Sequence, residues 1–387
     1  MKKMINLLFG LMAAFVMAGV SPVLAQTAAT PAPTPAAPTV AVDGLVDAYY
    51  SYNFTNAANK KTGAGNVGTY FDNTDGSYSL GLAELKATAT QGLASGHLVL
   101  AYGQEVNLGY DTALAAGTIQ PGLDVEQAYV SYAPGEFTFS GGRFVTWMGN
   151  EVIESTGNWN ISRSLLFWYT IPLWHNGVSV AYAPDSTFKV TGYATNGWNN
   201  SVNTSTDALA ETYGLSVAET PNSVWGFILN GIYGPESQAA ATGNVAGKDR
   251  YVGEAIIDFN ATSDLSFALD AEAGGEGGAK ATFWGADIYA KYAIASDLSA
   301  ALRLEELCDD ENSYAIYGNG FGAGTYEGRD ATLTLAHNLT SSFVVSLEGR
   351  YDYALGNGKV LAPAAGPFAG GLSADQLTTT LDTSIVF

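Results

Sequence analysis

The sequence predicts an all-β fold: a transmembrane antiparallel β-barrel of about 16 strands, with short periplasmic turns and long extracellular loops. Three observations predict it. Segments of roughly ten residues alternate apolar and ionised side chains, the connections between them alternate short and long, and the last segment ends the chain on an aromatic residue.

The alternation is plainest in residues 343–353, where Phe343, Val345, Leu347, Gly349, Tyr351 and Tyr353 share one face and Val344, Ser346, Glu348, Arg350 and Asp352 the other. Residues 298–305 repeat it, with Leu298, Ala300, Leu302 and Leu304 against Ser299, Ala301, Arg303 and Glu305. In residues 265–272, Leu265, Phe267 and Leu269 oppose Ser266, Asp270 and Glu272; in residues 284–294, Trp284, Ile288 and Tyr292 oppose Asp287, Tyr289 and Lys291. Fully ionised faces recur too often for a packed interior. A soluble sandwich also alternates, but it turns its polar face outward and its connections need not alternate in length.

Here the connections do alternate. Short turns fall at Ala133-Pro134-Gly135, Ala183-Pro184-Asp185, Thr220-Pro221-Asn222, Thr262-Ser263-Asp264, Ala295-Ser296-Asp297 and Thr340-Ser341-Ser342, and the links between them are longer and rich in Gly, Asn or Asp. Strands are expected to start near Val40, Tyr78, His97, Val125, Phe137, Gly177, Thr187, Glu211, Ser223, Arg250, Leu265, Ala281, Leu298, Arg329, Phe343 and Gln376. Sixteen is even, as closure with both termini in the periplasm requires; eighteen and fourteen are the alternatives. Parity slips around Glu84 and Lys86 and at Gly141-Gly142, where bulges are expected. The final strand carries Leu377, Thr379, Leu381, Thr383, Ile385 and Phe387 on one face, and a terminal Phe resembles the signal read by the barrel-assembly machinery. Closure is the one non-helical way to satisfy every backbone donor and acceptor in lipid, so the Tyr, Trp and Phe surplus is expected in interfacial girdles and not in a core.

Upstream of the barrel, Met1-Lys2-Lys3, an apolar run and Val23-Leu24-Ala25 read as a signal peptide over residues 1–25. Residues 26–39 alternate Ala, Thr and Pro and read as a solvated periplasmic leader, with the barrel spanning 40–387. The destination expected is the outer membrane of a Gram-negative bacterium, with outer-membrane lipid as a partner. The formal charge of −21, or −23 without Lys2 and Lys3, excludes nucleic acid as a favoured partner. A single cysteine, Cys308, excludes a disulfide framework.

One connection stands apart. Residues 150–183 combine clustered aromatics with charges of both signs, the preceding strand ends near Trp147, and roughly two dozen residues lack strand periodicity. Here Glu151-Val152-Ile153-Glu154-Ser155, Asn158-Trp159-Asn160, Ser162-Arg163-Ser164-Leu165-Leu166-Phe167 and the close on Pro172, His175 and Gly177 resemble the central signature of the OmpL-like beta-barrel porin family, porin-2 type. The resemblance extends to residues 46–50, 126–130 and 230–236. It implies an outer-membrane pore for small hydrophilic solutes, without naming what passes and with no catalytic or metal residue to carry over.

By parity the inward face carries Asp43, Asp47, Glu254, Asp258, Asp270, Glu272, Asp287, Glu305, Glu348, Asp352 and Asp382, against Lys189, Lys291, Arg303 and Arg350. Charge rings lining water select by sign, so a weak preference for cations and neutral solutes is expected; the alternative is that these groups merely pair across strands and hydrate the wall. The 150–174 stretch is the third long loop. By analogy with general porins it would fold inward, with Glu151, Glu154 and Arg163 setting opposed charges across a constriction and Trp159, Phe167 and Trp168 packing it to the wall. Otherwise it caps the outer mouth, with Arg163 a structural salt-bridge partner.

No cofactor, metal or catalytic group is expected. His97, His175 and His337 are widely spaced, His175 reading as a hydrogen-bonding residue at a loop root, and Gly318-Asn319-Gly320-Phe321-Gly322 lacks the helix a nucleotide loop needs. A passive porin, a substrate-selective channel with a saturable site, and a barrel carrying an adhesin or hydrolase in loops such as 56–77 or 309–328 are the competing functions, with a homotrimer in view because trimers are common among general porins.

Overall fold

The computed structural model describes residues 37–55, 66, 69, 71–72, 74–104, 106, 122–203, 211–236, 248–276, 281–310, 326–355 and 375–387. The segments read as signal peptide and leader, up to residue 36, and Gly318-Asn319-Gly320-Phe321-Gly322 lie outside them. The strands are β1 (Thr39–Asn53), β2 (Ser77–Gln91), β3 (Ala94–Gly103), β4 (Gly122–Tyr132), β5 (Phe137–Val145), β6 (Trp174–Tyr182), β7 (Phe188–Thr195) and β8 (Thr212–Glu219) in the first half. The second half comprises β9 (Trp225–Glu236), β10 (Lys248–Asn260), β11 (Leu265–Glu276), β12 (Ala281–Ala295), β13 (Leu298–Asp310), β14 (Tyr326–Asn338), β15 (Phe343–Leu355) and β16 (Asp375–Val386).

Each strand pairs with its sequence neighbours, and β1 pairs antiparallel with β16, closing a 16-strand barrel. Closure continues to the last residue. Gly44 N–H donates to the Phe387 carbonyl at 2.7 Å and Phe387 N–H returns the bond at 3.0 Å. The Phe387 ring lies where a Cβ on Gly44 would meet it at 2.4 Å, so the last residue has a glycine-sized seat on the first strand. A further two-residue turn, Gly92–Leu93, with Gly92 at φ +61°, joins β2 to β3 on the short-turn end.

Two irregularities stand elsewhere than the alternation suggested. Asp47 pairs with Leu82 and Ala48 with Leu80, so Gly81 is the extra residue in β2, upstream of Glu84 and Lys86. An inserted residue flips every side chain that follows, which is why the slip shows only downstream. In β3–β4, Val99 pairs with Gln127 and Leu100 with Val125, leaving Glu126 as the second bulge. At Gly141-Gly142 there is no bulge. β5 keeps continuous register with β6, and its irregularity is Gly142 at φ +139°, where a Cβ would sit 2.3 Å from the Ala128 carbonyl oxygen.

The outer face is apolar, with Leu229 exposed on β9 and Ile288, Leu304, Leu333, Leu347 and Leu381 on β12 to β16. Aromatic clusters mark its two ends. Trp225 and Phe259 stack at 4.4 Å and Phe137 meets Tyr182 at 4.9 Å near the short turns, while Tyr50 and Tyr78 meet at 4.9 Å near the long loops. The girdles are not the whole of the aromatic surplus, contrary to the reading from sequence. Phe71, Phe167, Tyr169, Trp174 and Phe283 join Leu82, Val252 and Leu307 in an apolar cluster inside the barrel. A loop threaded into the bore brings its own apolar side chains, and these can leave water only against one another and the wall.

Candidate functional site: the bore and its third loop

The connection between β5 and β6, residues 146–173, is the loop that occupies the bore (L3). β5 stops at Val145, two residues short of the sequence-derived limit at Trp147, while β6 starts at Trp174, three residues before Gly177. L3 contains a 3-10 turn (Ser155–Gly157) and a short helix, α1 (Leu165–Tyr169), capped by the Ser164 hydroxyl, which accepts from Phe167 N–H at 3.0 Å.

An irregular chain inside a barrel carries backbone donors and acceptors that the wall's backbone, already committed to the sheet, cannot satisfy. Wall side chains satisfy them here. Glu348 on β15 accepts from Ile161 N–H at 2.6 Å and Ser162 N–H at 3.0 Å; Glu305 on β13 accepts from Leu165 N–H at 2.8 Å and Leu166 N–H at 2.7 Å. Glu254 on β10 accepts from Gly149 N–H at 2.7 Å, and Asp270 on β11 from Asn150 N–H at 3.2 Å. The Ser155 hydroxyl donates to Asp47 and the Thr170 hydroxyl to Glu272. Two wall arginines take the opposite role: Arg303 donates to the Ser162 carbonyl and Arg350 to the Arg163 carbonyl, each at 2.6 Å. Hydrogen bonds to charged groups contribute about 1.5–3 kcal/mol each, so the set is ample to hold one conformation.

The inward residues predicted from parity thus divide by use. Asp47, Glu254, Asp270, Glu305, Glu348, Arg303 and Arg350 are buried beneath L3 as clamps. Asp287 is buried between them, accepting from Tyr289 O–H at 2.9 Å. Lys189, on the face of buried Thr191 and Thr195, and half-buried Asp258 lie away from these contacts. Lys291, with its ammonium 5.9 Å from the Trp159 ring, and Asp382 line a polar cavity of about 130 Å³ between L3 residues 155–161 and the β12–β16 wall.

The three constriction candidates separate too. Glu151 pairs with Arg303 at 2.8 Å and accepts from Ser164 N–H at 2.6 Å. Glu154 pairs with Lys86 of β2. Arg163 does not present its charge to open space. It is 2% exposed, donates to the carbonyls of Val152, Ile153 and Ile161, and lies 4.9 Å over the Phe71 ring. Its five donors in a planar fork suit it to gathering L3 carbonyls. Phe167 is buried in the apolar cluster, Trp168 packs at its edge, and Trp159 meets Tyr289 edge-on at 6.3 Å. His175 is buried, with Nδ1 3.0 Å from the Gly197 carbonyl oxygen and Nε2 3.3 Å from the Thr146 hydroxyl.

Several members of the site were not read from sequence. Asp330 on β14 joins both arginines, at 3.0 Å from Arg303 and 3.5 Å from Arg350; the alternation of Asp330, Thr332 and Thr334 against Leu333 was a usable signal. Glu84, Lys86 and Glu126 were hidden by the two bulges. The first long loop gave no signal at all. Asn66, Phe71, Asp72 and Thr74 in it are buried in the bore: Asn66 donates to Ser51 at 2.7 Å, Thr74 to the Tyr49 hydroxyl at 3.0 Å, and Phe71 meets Phe167 edge-on at 5.9 Å. Burial raises Asp72 in this loop to a pKa of about 6, with Glu348 adding to the rise and Arg350 and Arg163 opposing it.

A closed, even-stranded antiparallel barrel, apolar outside and charged within, with its third long loop in the bore, has the architecture of an outer-membrane porin. The chain belongs to the family described as putative beta-barrel porin-2, OmpL-like, which it matches over residues 39–387. Comparison with curated proteins gives no match. Among solved structures, the chain is similar to the outer membrane channel DcaP of Acinetobacter baumannii, with TM-score 0.61 and 13% identity over 92% of this chain and 99% of that one. It is similar also to an anion-selective porin from Comamonas acidovorans, with TM-score 0.58 and 15% identity over 90% of this chain and 100% of that one. OmpT of Vibrio cholerae in a trimer form gives TM-score 0.57 and 12% identity over 91% of this chain and 100% of that one. At these identities the likeness is one of fold.

Proposed function

We propose that this porin passes small hydrophilic solutes and ions by passive diffusion, with a preference for cations, and that it does no enzymatic chemistry. The observation that carries the reading is L3 itself, held across the bore by carboxylates and arginines of five strands. The route we assign is the polar cavity between residues 155–161 and the β12–β16 wall, where Lys291 and Asp382 meet the solute and carboxylates outnumber bases on the surrounding inner face. Glu151, Glu154 and Arg163 are then residues that set the shape of the passage. A homotrimer is the proposed assembly, in keeping with the trimer form of OmpT, reached after signal-peptide cleavage and insertion through the C-terminal strand.

A second reading, a substrate-selective channel, is favoured by one observation: an apolar cluster around Phe167 and Trp174 takes up part of the bore. Planar-bilayer recordings of the purified, refolded protein under a salt gradient, with liposome uptake of solutes of graded size, separate the two. Ohmic conductance and uptake that falls smoothly with size support passive diffusion; saturable uptake with competition supports the selective channel; no conductance and no uptake defeats both.

A further inference from the structure

One set of buried groups on the inner wall is in excess of what holding L3 requires. Asn230 on β9, Glu254 on β10 and Glu272 on β11 stand in one cross-strand row, Asn230 opposite Glu254 and Glu254 opposite Glu272, with Asp270 two residues along β11. The three carboxylates each place an oxygen within 4.8 Å of the others. Glu254 is fully engaged, its second oxygen accepting from Asn230 Nδ2 at 2.6 Å. The others are not. Asp270 Oδ1, Glu272 Oε1 and Asn230 Oδ1 are buried without a hydrogen-bond partner, in side chains 3%, 3% and 7% exposed. Among the described residues no lysine or arginine forms an ion pair with any of the three acids.

Three adjacent carboxylates out of water, without a counter-charge, are a heavy electrostatic cost for a wall to carry. The second acidic group of the bore, Glu84, Glu126 and Glu154, has a base within it: Lys86 pairs with Glu84 at 3.0 Å and with Glu154. The Glu254 group has no such partner. We infer that Glu254, Asp270 and Glu272 bind one divalent cation of the calcium type at the root of L3.

The donor set selects the ion. Every available atom is a carboxylate or amide oxygen, with no His or Cys, which suits a hard cation. Three buried carboxylates gathered in one place suit calcium, which takes all-oxygen protein sets, whereas magnesium keeps several waters and is held through one or two carboxylates. The position gives the ion a task. The same three side chains accept from Gly149, Asn150 and Thr170, so the cation would tie both roots of L3 to β10 and β11.

The test uses the full chain refolded in detergent, stripped with EDTA and titrated with calcium chloride at pH 7.5 by isothermal titration calorimetry, with thermal unfolding followed in parallel. One saturable calcium per chain and a calcium-dependent rise in unfolding temperature are expected. Asp270→Asn and Glu272→Gln, singly and together, should weaken binding at least tenfold and remove the thermal shift, while Glu306→Gln on the outer face keeps both. The amides relieve repulsion, so these variants should unfold at a higher temperature than the stripped wild type. Absence of saturable binding in the wild type means that protons, not a metal, neutralise the group, and overturns the assignment without recourse to any variant. Binding retained by the double variant overturns it equally.

Discussion

Glu151 and Arg303 form an ion pair at 2.8 Å with side chains 4% and 0% exposed, one on the loop and the other on the wall. Arg303 also reaches Asp330 at 3.0 Å and the Ser162 carbonyl at 2.6 Å, so a single guanidinium joins L3 to two strands.

Arg303→Met should therefore be among the most damaging single changes in the bore. It strands Glu151 without its arginine and leaves Asp330 only Arg350 at 3.5 Å, and breaking a buried pair by removing one partner costs about 3–5 kcal/mol. A lowered urea midpoint in lipid vesicles, together with higher or noisier single-channel conductance, is the expected outcome. Unchanged conductance would show that L3 does not limit flow.

Arg163 predicts a different result. Its guanidinium gathers the carbonyls of Val152, Ile153 and Ile161, so Arg163→Gln should loosen the loop and increase current noise while moving the reversal potential by only a few millivolts. Arg163→Lys should not rescue it, since an ammonium lacks the planar fork. A sign change in selectivity with either variant would return Arg163 to the passage.

Selectivity should respond instead at the cavity wall. In a potassium chloride gradient the wild type is expected to favour potassium, Asp382→Asn to weaken that preference and Lys291→Glu to strengthen it. One charge about 4 Å from an ion in water is worth about 1 kcal/mol, so changes of up to about fivefold in permeability ratio are in range. Anion preference in the wild type would reject the proposed selectivity.

The first long loop should be pH-sensitive. Asp72 has a folded-state pKa of about 6 against an ordinary value of 3.8, so its protonated form favours the buried loop. A raised carboxyl pKa lets the folded state hold the proton more tightly. Stability is fully present below about pH 3.8 and is lost as pH rises towards 6. Protection of residues 71–76 from hydrogen exchange, corrected for the intrinsic rate, should be greater at pH 5 than at pH 7.5. Asp72→Asn should abolish the difference.

How much of this was legible in the sequence depended on whether the signal was local. The strands Leu265–Glu276, Leu298–Asp310 and Phe343–Leu355 were readable because a period of two is written into every pair of neighbours, and an apolar outside with an ionised inside follows from lipid on one face alone. The aromatic and charged stretch around Glu151 to His175 marked L3 as the exceptional loop. The uses of its charges were not legible. Glu305 looks the same in sequence whether it faces water or the N–H groups of Leu165 and Leu166, which are 140 and 139 positions away.

The sequence by itself determined the barrel, a count of about sixteen strands and the side that meets lipid, since each rests on patterns that recur within a few residues, and its motifs carried the resemblance to the family. Only the tertiary structure decided that L3 and part of the first loop enter the bore, that Arg163 gathers carbonyls of its own loop, and that the inner carboxylates act chiefly as clamps. A backbone donor displaced from the sheet must find an acceptor, and which side chain answers is settled by closure of the barrel, which brings distant strands around the same loop.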